Sequence, residues 1–117
     1  MSDRLKVSPV VMVGMGGIYA EILKDVAVQL APVSEDEAVR MIRSLKLFPL
    51  LDGARGQAKA DVAAAARTVA QLSAFACRHA QDVAEIDMNP ILVKPEGEGV
   101  LVLDALLVPT AHNPSAT

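Results

Sequence analysis

The stretch that decides the reading is "AEIDMNPILV", residues 84 to 93, in which Glu85, Asp87 and Asn89 recur at every second position before Pro90 and a run of hydrocarbon. Period two marks a strand with one face in water. A second apolar run, "VLVLDALLV" at 100 to 108, follows across the Pro/Gly turn "KPEGEG", so the two segments read as a hairpin. A tip centred between Glu96 and Gly97 sets Val93 opposite Val100 and Asn89 opposite Asp104. Opposite residues of an antiparallel pair share a face, with Cβ atoms about 4.5 to 5.5 Å apart. By parity Glu85, Asp87 and Asn89 lie on that face with Asp104, while Ile86 and Met88 point to the core. An acid inside so apolar a run as Asp104 is costly to bury unless it is paired or metal-bound. Carboxylates and an amide oxygen, without histidine or cysteine, are hard ligands suited to magnesium rather than zinc. A merely solvated strand face is the competing reading, and a one-residue slip in register would separate the pair.

Upstream, Asp61 is a plausible N-cap for "VAAAARTVAQLSAFACRHA" (62 to 80), where Val62, Ala66, Val69, Leu72, Phe75 and Ala76 form one stripe and predict the longest helix. "SEDEAVRMIRSL" (34 to 45) opens with a Ser34/Glu37 capping box and places Ala38, Met41, Ile42 and Leu45 at helical spacing. Between them "LFPLLDGARGQAKA" reads as a loop. There Arg55, flanked by Gly53 and Gly56, is either a phosphate contact or a solvated cation. Near the start, "VSPVVMVG" (7 to 14) reads as a buried strand, and "IYAEILKDVAVQLAP" (18 to 32) as a hairpin turning at Lys24-Asp25. The intervening "GMGG" is no dinucleotide fingerprint, because Tyr19 stands where a third glycine is needed, and no P-loop. It is a tight turn or a backbone cradle for phosphate. Glu21 is a general base, a charge partner, or simply exposed strand polarity. His79 suits a helix C-terminus. Residues 1 to 109 are expected to form one domain, which the resemblance given below implies is a partial one, and 110 to 117, with His112, a disordered tail.

Composition narrows the classes. The 117 residues carry a net charge of −3 with the charges dispersed, which argues against a nucleic-acid footprint. No run is long enough to span a bilayer and no signal-peptide pattern opens the chain, so a protein of the reducing cytoplasm is expected; its one cysteine, Cys77, fits that setting. Hydrophobic residues make up 52% and charged residues 21%, so little polar material is available to cover apolar surface, and a homo-oligomer is expected.

Three separated segments, "PVVMVGMGGIYAEILKDVAVQLAPVSEDEAVRMI", "LLDGARG" and "VAEIDMNPILVKPEGEGVLVLDALLV", together resemble the C-terminal half of the ATP-grasp domain of NDP-forming acyl-CoA synthetases, the acetate, succinate and feruloyl-CoA ligase group. The resemblance covers residues 7 to 109. It implies an α+β fold, a mostly antiparallel sheet with two helices on one face, forming the second lobe of an ATP-grasp clasp. It implies that Asn89 and Asp104 hold the magnesium of bound ATP or ADP, the same pair that the hairpin register selects. Asp87 is similar to an acid near the phosphohistidine exchanged in turnover, and the family's Gly-Gly-x-x-x-Glu loop falls on Gly16, Gly17 and Glu21.

The implied reaction interconverts acid, CoA and ATP with acyl-CoA, ADP and phosphate, through an acyl phosphate and a phosphorylated histidine. The ATP-grasp N-terminal lobe and the CoA-binding subunit or domain are expected as partners, and the chain is expected to be inactive alone. The alternative is a non-catalytic protein-interaction module that keeps the lobe's fold.

Overall fold

The computed structural model describes residues 9–15 and 24–111, the side chain of Arg55 excepted. The fold class is α+β as expected, with antiparallel pairing throughout. Strands β1 (Val10–Gly14) and β2 (Val26–Leu30) pair with each other. Helices α1 (Glu35–Arg43) and α2 (Val62–Arg78) follow, joined through short 3-10 turns at Phe48–Leu50 and Ala54–Gly56. The chain then forms β3 (Val83–Met88), β4 (Ile91–Val93), β5 (Val100–Val102) and β6 (Ala105–Pro109). Among the described residues there are three two-stranded sheets, β1-β2, β3-β6 and β4-β5, where one sheet was expected.

Both helices start as the sequence predicts. Ser34 Oγ accepts from the Glu37 N–H at 3.0 Å and Glu37 Oε1 accepts from the Ser34 N–H at 2.9 Å, closing the capping box. The other Glu37 oxygen accepts from Gln29 Nε2 at 2.7 Å, which ties α1 to β2. Ala38, Met41, Ile42 and Leu45, the predicted face, are all buried and pack with Val33, Phe48 and Ala66 in the core. Ala38 and Ala66 have no accessible surface, so the two helices approach closely where neither has a long side chain. Ser73 joins them to the strand layer: its Oγ accepts from the Val33 N–H at 3.0 Å and donates to the Ala70 carbonyl at 2.8 Å.

Asp25 corrects one local expectation. Its carboxylate is buried and accepts from the backbone N–H groups of Lys46 and Leu47, so it fastens the approach to β2 onto the turn after α1 rather than sitting exposed in a hairpin tip. Lys24, the residue before it, has φ of 52°. The second arm of the predicted hairpin is β2, paired with β1; its first arm, residues 18 to 22, lies outside the described residues.

The strand faces explain the shape. On the outer face of β1-β2, Val10 stands opposite Leu30 and Met12 opposite Val28, and all four are exposed, Met12 to 65%. At the other end of the chain Leu106 and Leu107 are adjacent in β6 and both half open to solvent. The radius of gyration is 16.0 Å, against about 13 Å for a compact chain of this length. Thr110, placed by sequence in the tail, donates from its N–H to the Asp82 carbonyl at 3.0 Å and from its hydroxyl to the Gln81 carbonyl at 2.9 Å. Residues 112 to 117, including His112, lie outside the described residues.

Two carboxylates make the fold sensitive to acid. Asp61 is held below the usual carboxylate range by the Gly99 N–H first and then the Ala64 N–H, against the opposing effect of burial. Glu37 is lowered chiefly by the Ser34 N–H and next by Gln29. A depressed folded-state pKa adds stability above the unfolded value, near 4, that is lost as pH falls through the folded value. Thermal melts should therefore be insensitive to these two groups from neutral pH down to about 5 and show a falling Tm below about 4. Asp61→Asn should lower the neutral-pH Tm and flatten that acid limb, and an unchanged limb would contradict the assignment.

Candidate metal and nucleotide site

The hairpin register is the one the turn predicts. Ile91, Leu92 and Val93 face Val102, Leu101 and Val100 in β4-β5, and Met88, Asp87, Ile86 and Glu85 face Ala105, Leu106, Leu107 and Val108 in β3-β6. Between the two ladders the Asn89 N–H donates to the Asp104 carbonyl at 3.0 Å, and the Leu103 N–H donates to the Pro90 carbonyl at 3.0 Å. Bonded pairs in a regular antiparallel ladder alternate, so two in succession mark a change of phase. Burial records the same change: Glu85, Asp87 and Asn89 are exposed while Ile86 and Met88 are half-buried, and beyond Pro90 it is Ile91 and Val93 that turn inward. The Asn89-Pro90 peptide is cis. The polar alternation therefore stops at Asn89 because the strand itself is re-phased there.

Asn89 and Asp104 stand at this break as direct cross-strand neighbours, both exposed. The burial argument for Asp104 is corrected: it is open to solvent between β5 and β6, where Leu103 and Leu106 beside it are themselves more than half exposed and β6 pairs only with β3 among the described residues. Its Oδ1 accepts from the Ala105 N–H at 2.9 Å, which fixes the carboxylate beside the break. The convergence of all four oxygen groups is corrected too. Positions i and i+2 of a strand are about 6.6 Å apart, so Glu85 and Asp87 trail away along β3, opposite Val108 and Leu106. Among the described residues no three His, Cys, Asp or Glu side chains gather tightly enough to hold a metal by themselves. At the break the described residues offer one amide oxygen and one carboxylate. That donor set fits magnesium, which binds through one or two protein oxygens and keeps the rest of its shell for water and phosphate.

Gly16, Gly17 and Glu21 lie outside the described residues. The backbone of Arg55 lies in the 3-10 turn Ala54–Gly56, between Gly53 at φ +85° and Gly56 at φ +74°, values that glycine adopts without strain. His79 caps the C-terminal end of α2 with its ring 4.3 Å from that of Phe75, well inside a helix-end role.

A groove of about 350 Å³ separates β1 from β3, lined by Val10 and Met12 on one side, Ala84 and Ile86 on the other, and floored by Leu72 and Ala76 of α2. Its walls are strand edges. The Ala31 N–H donates to the Pro9 carbonyl at 2.9 Å, so by two-residue alternation Val11 and Val13 face β2, while the N–H and C=O groups of Val10 and Met12 point away from it. In β3 the bonded Asn89/Asp104 pair likewise leaves Ile86 and Met88 turned away from β6. The sequence gives no sign of this groove, since it depends on which edge of each strand is taken.

Comparison with known proteins agrees with this fold. The sequence model of the ATP-grasp domain matches residues 2–108. The chain belongs to the ATP-grasp family. Among curated proteins this ATP-grasp chain is 45% identical over 96 residues to the ADP-forming 4-hydroxybutyrate–CoA ligase of Nitrosopumilus maritimus, covering 82% of the chain and 14% of that protein. It is 39% identical over 98 residues to the beta subunit of the ADP-forming acetate–CoA ligase II of Pyrococcus furiosus, covering 84% of the chain and 42% of the subunit. The dinucleotide-forming acetyl-coenzyme A synthetase 1 of Ca. Korarchaeum cryptofilum, solved in complex with coenzyme A and Mg-AMPPCP, matches with a TM-score of 0.78 at 34% identity, over 86% of this chain and 46% of that one. The chain thus spans less than half the length of these relatives. Among the described residues no helix is long and apolar enough to cross a membrane.

Proposed function

We propose that this ATP-grasp chain acts as the C-terminal lobe of the nucleotide-binding domain of a cytoplasmic ADP-forming acyl-CoA synthetase, in which acid, CoA and ATP yield acyl-CoA, ADP and phosphate. The observation that carries the proposal is the pairing of Asn89 with Asp104 at the re-phased break of the hairpin, in a chain similar to ADP-forming CoA ligases. The Asn89 amide oxygen and the Asp104 carboxylate would hold Mg²⁺, which when bound offsets negative charge on the nucleotide phosphates. Asp87, one strand repeat away on the same exposed face, would take the catalytic role of the acid near the phosphohistidine exchanged in turnover. Gly16, Gly17 and Arg55 keep the phosphate-binding roles read from the sequence, and Glu21 keeps that of a general base or charge partner.

The partners are the other ATP-grasp lobe and a CoA-binding subunit or domain. The groove between β1 and β3 supports the first, because main-chain donors and acceptors on both its walls are matched by an inserted strand, which would join β1-β2 and β3-β6 into one sheet. Without that strand the same edges and the apolar outer face of β1-β2 favour self-association. Light scattering at micromolar concentration should give the mass of a dimer or larger, and Met12→Lys with Val28→Glu should shift it to monomer. A monomeric parent would mean that the edges are covered within the chain.

Isothermal titration tests the nucleotide role. ADP should bind in the millimolar range with magnesium present and lose that binding with EDTA or in Asp104→Ala, since half a clasp must offset the full cost of association. Binding that ignores both changes would remove Asp104 from the site.

A further inference from the structure

The Asn89–Asp104 pair sits at the base of β4-β5, a hairpin of three-residue strands whose Leu92, Leu101 and Val102 are exposed and whose Ile91, Val93 and Val100 are no more than half-buried, so apolar burial alone does not fix it. What holds it is at the other end. Asp61, the N-cap of α2, is buried, and its two carboxylate oxygens receive three backbone N–H groups: Ala64 at 3.1 Å on Oδ1, and Gly97 at 3.1 Å and Gly99 at 2.8 Å on Oδ2. The Asp61 N–H donates in turn to the Lys94 carbonyl at 2.8 Å, and the Glu96 N–H to the Lys59 carbonyl at 2.8 Å, beside a bridge between Ala60 and Pro95. Gly97 and Gly99 reach the carboxylate with φ of +87° and +86°. A methyl group on either would meet nothing within 4 Å, so glycine is required there by backbone conformation and not by space. One carboxylate therefore clamps both the first turn of α2 and the hairpin tip, and the Lys94-to-Gly99 bond at 3.0 Å starts the ladder that runs down to Asn89 and Asp104.

We propose that Asp61 is a positioning residue for the Asn89–Asp104 pair: by bonding Gly97, Gly99 and Ala64 at once it fixes the hairpin against helix α2, and thereby the orientation in which the two oxygen ligands meet a magnesium–nucleotide. The inference rests on the cation-site reading above and adds to it a residue outside the site. N-capping by itself requires only the Ala64 bond. The Gly97 and Gly99 bonds belong to the hairpin and have no bearing on the helix. Released from them, the tip keeps only the backbone bonds of Asp61 to Lys94 and of Glu96 to Lys59, and the part beyond Glu96 loses its hold on α2.

The test compares Mg·ADP titrations of the full chain with those of Asp61→Asn, which keeps the shape but loses an acceptor, and of Ser73→Ala, a buried change of the helix layer remote from the hairpin. All are followed at a temperature where far-UV circular dichroism is native. Asp61→Asn should raise the apparent Kd roughly five- to tenfold, near the lower end of what displaced supporting groups cost a metal site. Ser73→Ala should lower Tm and leave Kd unchanged. Should Asp61→Asn fail to fold, Gly99→Ala, which opposes the φ of +86°, must shift Kd in the same direction. An Asp61→Asn variant, or in its place Gly99→Ala, that binds Mg·ADP as tightly as the parent while melting earlier overturns the positioning role and leaves the site standing. A parent chain without any Mg·ADP response overturns the site and the role of Asp61 with it.

Discussion

Supplied with an acid, CoA, ATP and magnesium, the purified 117-residue chain should form no acyl-CoA. Phosphoryl transfer depends on positioning by groups on both sides of the nucleotide, worth many orders of magnitude in rate. The described residues place the two proposed oxygen ligands on one side, at an exposed strand break. The relatives named for this activity are at least twice as long as the segment they share with this chain. Neither histidine lies in a glycine-rich stretch of sequence: His79 caps α2 against Phe75, and His112 follows the last strand in sequence. Chromatographic detection of acyl-CoA, with a sample shown free of host ligase, decides the matter. Sustained turnover would contradict the reading of the chain as one lobe.

Ile42→Ala should destabilise the fold by about 3 kcal/mol, within the range for removing a buried branched side chain where neighbours cannot close the gap. Ile42 is buried in the cluster formed by α1, Phe48 and Ala66, and this is the one well-buried apolar core among the described residues. The strand layers on either side leave large hydrophobics open, so the chain has little other burial to fall back on. A domain of this size holds a margin of only about 5 to 15 kcal/mol in total, and a change of this size at Ile42 should be evident as a marked fall in the urea midpoint. A midpoint within error of the parent's would place the stabilising core elsewhere.

Much of the molecule was legible because local rules governed it. The capping box at Ser34 and Glu37, the face of Ala38, Met41, Ile42 and Leu45, and the cap at Asp61 each follow from spacing within a few residues. The hairpin register was legible for the same reason: a turn of known centre sets every partner down to Asn89 and Asp104. What sequence could not supply was which surfaces find cover. "VLVLDALLV" reads as an apolar strand, yet Leu101, Leu103, Leu106 and Leu107 are exposed, because their burial depends on neighbours that the described residues do not provide. Asp25 looked like turn polarity since its partners, the Lys46 and Leu47 N–H groups, are some twenty residues away. Asp61 showed its local bond to Ala64 in the sequence but not its reach to Gly97 and Gly99.

The central claim is that the re-phased break at Asn89, with Asp104 opposite, holds a magnesium–nucleotide. Amide NMR shifts recorded while ADP is titrated with and without magnesium test it most directly. The expected result is a magnesium-dependent response confined to residues 85 to 89 and 103 to 105, abolished in Asp104→Ala while the remaining spectrum keeps its native dispersion. No response there at millimolar Mg·ADP, or one that survives Asp104→Ala unchanged, would contradict the claim.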